Sequence, residues 1–165
     1  VSRPDVVATM TDALAPTRRM KVLEVGTSSG YQTAILAHLS RRVYTVEQDR
    51  GLSRLARERL TQLRCHNVTS RIGDGWQGWP EQAPFPRILV TAAASGVPAR
   101  LADQLDDGGV MVTPVTTPDG EQELVRLTRD AETAGFTEER LGQVRFVPLI
   151  STTDESADRA DHGRG

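Results

Sequence analysis

Apolar positions along the chain follow two spacings, one typical of buried strands and the other typical of helices. Short apolar runs predict strands at residues 21–25, 43–46, 68–72, 87–91 and 110–115. Helical spacing predicts helices at residues 3–14, 31–39, 52–63 and 101–105. In residues 121–147, period-two stretches (ELVRL and VRFVPL) around a turn at Gly135 predict an antiparallel hairpin at a sheet edge.

Strands that alternate with helices indicate an α/β fold, in which a mostly parallel sheet is covered by helices on both faces. In such sheets ligands bind at the carboxyl ends of the strands. The loops that follow the first four strands are therefore the places to look for a site. We expect residues 1–150 to form one domain. Residues 151–165 contain no large apolar side chain, which predicts a disordered polar tail.

Composition narrows the class of protein. A length of 165 residues fits one domain, and 38% hydrophobic with 25% charged residues supports a folded core. The net charge of −2 argues against nucleic-acid binding, and no apolar run is long enough to span a membrane. The single cysteine, Cys65, excludes an internal disulfide and a cysteine-rich zinc site. We expect a cytoplasmic monomer that needs no metal and binds neither nucleic acid nor membrane.

The strongest chemical signal is the loop LEVGTSSG, which joins the first strand to the next helix. Gly26 allows a sharp turn and a close approach of the backbone to a ligand, and the helix behind it offers free N–H groups. Glu24, near the end of the strand, can receive a positively charged ligand group. An ordinary strand-to-helix turn is the alternative.

Two further loops point to an adenosine ligand. Glu47 ends the second strand about 20 residues after the glycine turn, where an acidic side chain can accept hydrogen bonds from ribose hydroxyls. Asp74, flanked by Gly73 and Gly75, follows the third strand and can reach the amine of an adenine. The alternatives are a solvated glutamate and a common Asp-Gly turn.

The glycine pattern separates the candidate adenosine ligands. Dinucleotides are bound by G-x-G-x-x-G, whereas this loop, GTSSGY, lacks the middle and final glycines. S-adenosylmethionine has no pyrophosphate, and its sulfonium and ammonium groups suit an acidic residue such as Glu24. A nucleotide-dependent oxidoreductase is the weaker alternative.

Several segments together resemble one enzyme family. VLEVGTSSGYQTAILAHL, GDGWQGW, VTAAA and VRFVPL are similar to the protein-L-isoaspartate O-methyltransferases, over about residues 1–150. The resemblance implies a Rossmann-like class I methyltransferase with a seven-stranded sheet. It also implies methyl transfer from S-adenosylmethionine to the α-carboxylate of L-isoaspartyl residues in damaged proteins, with S-adenosylhomocysteine as product. The methyl ester then collapses to a succinimide, which hydrolyses in part to normal aspartate.

The resemblance and the loops assign candidate site residues. Ser2, in the segment VSRP, is the expected catalytic residue, and a helix N-cap is its alternative role. The expected cofactor-binding residues are Glu24, Gly26, Ser28, Gly30, Glu47, Asp74 and Gly75. The expected walls of the substrate site are Thr91, Ala92, Ala93 and Val147.

The sequence departs from the family pattern at several points. Ser28 stands where the family usually has glycine, and its side chain is expected to crowd the cofactor unless its φ is negative. Pro86 and Thr116 also replace usual residues, and the helices that usually precede the serine are expected to be missing. These departures leave two alternatives open. One is an impaired or non-catalytic S-adenosylmethionine-binding domain, and the other is a methyltransferase for a carboxylate in another peptide.

Overall fold

The computed structural model of the protein describes residues 2–149. Within that range the strands are β1 Lys21–Val25, β2 Arg42–Glu47, β3 Val68–Ile72, β4 Phe85–Val90, β5 Leu105–Thr116, β6 Gln122–Arg129 and β7 Phe136–Gln143. The α-helices are α1 Pro4–Leu14, α2 Tyr31–Leu39, α3 Arg50–Gln62 and α4 Ala99–Ala102, and two 3-10 turns cover Gly75–Gln77 and Pro80–Gln82. The predicted disordered tail, residues 151–165, lies outside the described residues.

The strands form one seven-stranded sheet in the order β3-β2-β1-β4-β5-β6-β7. The first five strands pair in parallel, and β6 and β7 add to the β5 edge as an antiparallel hairpin. From β1 the strands β2 and β3 are added on one side of the sheet, whereas β4 and β5 are added on the other side. This reversal places a topological switch point between β1 and β4. Ligand sites in open α/β sheets lie at such points. This architecture confirms the predicted fold class.

Local sequence explains where two of the helices begin. Pro4 occupies the first turn of α1, where its missing N–H has no intrahelical partner in any case. Val7, Met10 and Leu14 then recur at helical spacing and are buried. Asp49 caps α3, because its side chain accepts a hydrogen bond from the backbone N–H of Leu52 at 2.9 Å.

Each face of the sheet has its own core. On one face α1 and α2 pack through Met10, Leu14 and Leu36 against strand residues that include Leu89. On the other face α4 contributes Leu101 and Ala102, and the segment between the two 3-10 turns contributes Trp79, to a cluster with residues from β1, β2, β4 and β5. β1 lies at the centre, and four of its five residues are buried. The core thereby fixes the carboxyl end of β1, where the site is found.

The helix predicted at residues 101–105 is wrong in its position. The structure has a short helix, α4, that ends at Ala102, and Leu105 already pairs with Phe85 as the first residue of β5. Leu101 and Leu105 are both buried in the same core cluster. Their spacing of four therefore reflects burial from two different elements and does not reflect one continuous helix.

The predicted hairpin is confirmed, but its second strand is not VRFVPL. That strand is β7, whose residues are almost all exposed, so it lacks the apolar alternation that predicts strands. Residues 144–149, which are apolar except for Arg145, follow β7 and leave the sheet. We call residues 144–149 the strap, because they run across the carboxyl ends of the parallel strands, where Val147 and Leu149 pair with Ala93.

None of the helices in residues 2–149 combines the length and the apolar character needed to cross a membrane. The longest, α3, has 13 residues.

Candidate functional site

A cavity of about 500 Å³ opens at the carboxyl ends of β1, β2 and β4, and the strap covers part of it. This volume lies within the range that is usual for small-molecule sites. Many of the sequence-predicted residues line it together: Ser2, Gly26, Ser28, Glu47, Gly75, Thr91, Ala92 and Val147. The fold therefore gathers the expected catalytic, cofactor-binding and substrate-binding positions into one cavity.

Gly26 makes the turn at the end of β1 with a φ of +96°, in the region that favours glycine. Its N–H donates to the Val46 carbonyl at 2.8 Å, and its carbonyl accepts from the Thr91 hydroxyl at 2.7 Å. A Cβ at this position would collide with the Thr91 hydroxyl oxygen. The loop is therefore held tightly between β2 and the end of β4, and only glycine fits there.

Ser28 also has a positive φ, +50°, so the expectation that a negative φ would accommodate it is wrong. Its backbone N–H donates to Glu47 Oε2 at 3.1 Å, and the Asp49 N–H donates to Glu47 Oε1 at 3.3 Å. Each Glu47 oxygen therefore accepts one backbone hydrogen bond and keeps a lone pair for another. Glu47 is fixed in place at the cavity wall with acceptor capacity to spare, as binding of two ribose hydroxyls requires.

Glu24 does not line the cavity; it is fully buried behind the loop. Its Oε1 accepts hydrogen bonds from the hydroxyls of Thr33 at 2.5 Å and Thr45 at 2.7 Å. Its Oε2 has no hydrogen-bond partner within residues 2–149. Burial raises the pKa of this carboxyl to about 7, against the lowering effect of the two hydroxyls. The structure thus places Glu24 as a support behind the loop.

Three other predicted residues lie beside the cavity and do not line it. Gly30 is the N-cap of α2 with a φ of +83°. Asp74 caps the first 3-10 turn by accepting a hydrogen bond from the Trp76 N–H at 3.0 Å. Ala93 is buried and pairs through its backbone with the strap. The first two shape the loops that carry cavity residues, and Ala93 holds the strap over the cavity.

Gly75 lines the cavity between two side chains. A Cβ at Gly75 would lie 2.6 Å from Val25 Cγ1 and 3.2 Å from Leu149 Cδ1. The space that a side chain would need is therefore occupied by Val25 and Leu149, and only glycine fits at this point of the wall, next to the end of β1.

Ser2 lines the cavity directly before α1. The N-cap of that helix is Arg3, and no side-chain hydrogen bond caps it. The alternative role of Ser2 as a helix N-cap is therefore wrong. The Ser2 side chain does not cap the helix and lies at the wall of the cavity.

The strap is attached at three points. The Gln122 side chain accepts from the Phe146 N–H at 2.6 Å and donates to its carbonyl at 3.1 Å. The Ala93 N–H donates to the Val147 carbonyl at 2.8 Å, and its carbonyl accepts from the Leu149 N–H at 2.6 Å. Trp76 Nε1 donates to the Leu149 carbonyl at 3.3 Å. These bonds hold the strap across the cavity from β6 to the loop after β3.

Sequence reasoning missed several residues of the cavity wall. They are Thr27, Ser29, Tyr31, Gln32, Gln48 and Leu52. Most of them are immediate neighbours of predicted residues along the chain, so wider windows around each loop would have found them. Leu52 carries no such signal, because only the packing of α3 brings it to the cavity.

The residues present fit S-adenosylmethionine. The wall offers a carboxylate with spare acceptor capacity at Glu47 and two glycines, Gly26 and Gly75, that line the cavity without side chains. Glu24, buried behind the loop, supports the loop from behind and does not itself line this wall.

Comparison with known proteins supports the same assignment. The family model described as protein-L-isoaspartate(D-aspartate) O-methyltransferase matches residues 1–154. A curated protein-L-isoaspartate O-methyltransferase from Parvibaculum lavamentivorans is 56% identical over 152 residues, which cover 91% of this chain and 68% of the relative. The matched segment thus spans about two thirds of the length of this relative.

Two solved structures with the same family name align with this chain. A protein-L-isoaspartate O-methyltransferase aligns with a TM-score of 0.85 and 24% identity, which establishes the fold alone; this chain is 98% covered and spans 51% of that one. A putative member from Plasmodium falciparum, in complex with S-adenosyl-L-homocysteine, aligns with a TM-score of 0.76 and 26% identity, over 91% of this chain and 75% of that one. The resemblance drawn from the motifs is confirmed, and the chain belongs to the protein-L-isoaspartate(D-aspartate) O-methyltransferase family.

Proposed function

We propose that this chain transfers the methyl group of S-adenosylmethionine to the α-carboxylate of L-isoaspartyl residues in damaged proteins. The observation that carries the proposal is the shared cavity, in which Ser2 and Thr91 line the same space as Gly26, Ser28 and Glu47. Membership of the family supports the reaction. We further propose that the chain acts as a monomer in the cytoplasm and that its partners are isoaspartyl-containing proteins, with neither nucleic acid nor membrane involved.

The geometry of the loops indicates how one half of the cavity would bind the cofactor. When bound, S-adenosylmethionine supplies an electrophilic methyl group on a sulfonium centre, and S-adenosylhomocysteine is the product. Glu47 would accept the ribose hydroxyls, while the backbone at Gly26 and Gly75 allows close approach. Asp74, at the start of the neighbouring 3-10 turn, would act on the adenine side. The complex of a relative with S-adenosyl-L-homocysteine supports this choice of cofactor.

The other half of the cavity would bind the carboxylate that accepts the methyl group, and this step needs little acid–base chemistry. A carboxylate with an ordinary pKa is already an anion at neutral pH, so no base has to activate it. Positioning for an in-line displacement therefore dominates. The Ser2 hydroxyl would donate a hydrogen bond to one carboxylate oxygen and leave the other free to attack. Thr91, Ala92 and the strap residue Val147 would form the walls around this group, with Ala93 holding the strap behind them.

The test is transfer of labelled methyl groups to an isoaspartyl peptide and to its aspartyl twin. We expect labelling of the isoaspartyl peptide alone. Equal labelling of both peptides would favour a methyltransferase for another carboxylate. Binding of S-adenosylhomocysteine without any labelling would favour the impaired, binding-only alternative and would contradict the proposal for this chain.

A further inference from the structure

Among residues 2–149, two charged residues line the cavity, Glu47 and Arg145. Glu47 is held by two backbone N–H groups. By contrast, within residues 2–149 the Arg145 guanidinium forms no ion pair and no hydrogen bond. Arg145 is exposed, so its charge stands at the rim of the cavity and remains available to a binding partner.

The strap fixes where this charge lies. Arg145 directly precedes Phe146, whose backbone is clamped on both sides by the Gln122 side chain at the start of β6. Glu47 ends β2, and three strands, β1, β4 and β5, lie between β2 and β6 in the sheet. Because neighbouring strands are about 4.8 Å apart, the strand carrying the clamp is roughly 19 Å from the strand of the cofactor carboxylate. The clamp therefore holds Arg145 on the side of the cavity away from the proposed ribose site.

The other cation next to the acceptor side is already neutralised. Arg3 adjoins Ser2 in the chain, and its guanidinium pairs with the Asp5 carboxylate at 3.0 Å. Arg145 is the rim cation that the described part of the chain leaves without a carboxylate. Its position outside the cavity interior also matters for the chemistry. A cation bound to the attacking carboxylate would stabilise the ground state and oppose the transfer.

We propose that Arg145 is a specificity-determining residue that pairs with an acidic side chain flanking the isoaspartyl residue of the substrate. The inference rests on the proposed function and adds to it a preference among substrate sequences. A peptide threaded under the strap places its acceptor residue in the cavity and its neighbours at the rim, where Arg145 stands. The clamp of Gln122 on Phe146 makes the position of the charge reproducible from one substrate to the next.

The test compares three isoaspartyl peptides that differ only in the residue beside the isoaspartate, which is Glu, Ala or Lys. With the unaltered chain at low salt we expect kcat/KM for the Glu peptide to exceed that for the Ala peptide roughly threefold to fivefold, the value of an exposed ion pair. The Lys peptide is expected to be the poorest. High salt should remove the preference, because it screens exposed charges.

Substitutions of Arg145 test whether its side chain causes the preference for the Glu peptide. Arg145→Met should abolish it through KM with little change in kcat, Arg145→Lys should keep most of it, and Arg145→Glu should invert it in favour of the Lys peptide. Arg18→Met is the matched control, because Arg18 is exposed in the loop before β1, at the opposite end of the strands. It should leave the preference unchanged.

Other outcomes would overturn the inference and leave the proposed function standing. Equal loss of kcat/KM for all three peptides in Arg145→Met would mean that Arg145 binds the acceptor carboxylate itself. Weaker binding of S-adenosylhomocysteine in the same variant would mean that it serves the cofactor. Methylation of all three peptides with no flanking preference would refute the inference outright, whereas failure to methylate any isoaspartyl peptide would refute the proposed function.

Discussion

Thr45 and Glu24 occupy paired positions on neighbouring parallel strands, and the Thr45 hydroxyl donates to Glu24 Oε1 across 2.7 Å. Because that hydroxyl has a single proton, the contact of 2.6 Å between Thr27 and Thr45 must have Thr27 as its donor. Thr33 of α2 donates to the same Glu24 oxygen. A buried polar chain thus ties β1, β2 and α2 to the loop that begins at Gly26.

Replacement of Thr45 should break this chain. Thr45→Val keeps the shape of the side chain but removes a donor to a buried carboxyl and the acceptor of Thr27. We expect a loss of about 2 kcal/mol in the free energy of unfolding, because both remaining groups are buried. Urea denaturation measures this loss. Thr45→Ser, which keeps the hydroxyl, is the control and should recover most of the stability; a loss in Thr45→Val no larger than that in Thr45→Ser would contradict the contribution of the hydroxyl.

Glu24 should make stability depend on pH. Its pKa is about 7 in the folded protein, chiefly because of burial, against an ordinary value of 4.5. Between these values the folded state keeps a proton that the unfolded state has lost, so the free energy of unfolding falls as pH rises. Below pH 4.5 and above about pH 7 the two states hold equal numbers of protons at this group, and its contribution is constant.

The variant Glu24→Gln isolates that contribution, because it cannot titrate. Relative to that of the unaltered chain, its free energy of unfolding should increase by roughly 3 kcal/mol as pH rises from 4.5 to about 7. Denaturation curves of both proteins at a series of pH values give this difference directly, since other groups cancel. A difference that does not change with pH would show that Glu24 titrates normally.

Physical causes explain which elements could be predicted from the sequence and which could not. The buried strands and the amphipathic α3 were predictable because each carries its own period of apolar residues. The strap was misassigned because its apolar residues pack on loops distant in the chain, such as that of Ala93. Local pattern contains no information on that partner.

The residues of the site likewise divide into those that local sequence could predict and those that depend on distant parts of the chain. The loops containing Gly26, Glu47 and Gly75 were predictable because backbone approach and charge need particular residue types at strand ends. Glu24 was placed at the ligand from its position and charge, but the pleat of β1 turns it to the buried side, beside Thr45. Arg145 lies in the motif VRFVPL, and the path of the strap brings it to the cavity rim.

Substitution of Gly26 tests the turn after β1. Gly26→Ala adds a methyl group that collides with the Thr91 hydroxyl and also forces a side chain into positive φ. The backbone cost alone is about 1 kcal/mol, and the collision should raise the loss in unfolding free energy to about 3 kcal/mol. Gly108→Ala is the matched control, because Gly108 has a φ of +69° and open space around it. If thermal unfolding gives the same loss for both, the Thr91 contact is not tight.

Removal of the Glu47 carboxylate should weaken cofactor binding. Glu47→Ala deletes the acceptor proposed for the ribose hydroxyls and releases the Ser28 N–H. Hydrogen bonds to a charged acceptor are individually strong, so we expect the Kd for S-adenosylhomocysteine to rise roughly thirtyfold or more. Calorimetric titration measures it. Glu58→Ala, which removes an exposed carboxylate from α3, is the control for net charge, and an effect as large as that of Glu47→Ala would contradict the assignment.

Ser2 should act on turnover and leave cofactor binding unchanged. The proposed hydrogen bond from its hydroxyl orients the attacking carboxylate, and such positioning is realised in the transition state. Ser2→Ala should therefore lower kcat for an isoaspartyl peptide roughly tenfold to a hundredfold, with the Kd for S-adenosylhomocysteine within about twofold of the original. Ser2→Thr, which keeps a hydroxyl at the cavity wall, should retain part of the rate. Because Arg3 and not Ser2 caps α1, the stability of the variants should not change. A full rate in Ser2→Ala would remove this residue from the reaction and leave orientation of the carboxylate to Thr91 and the strap.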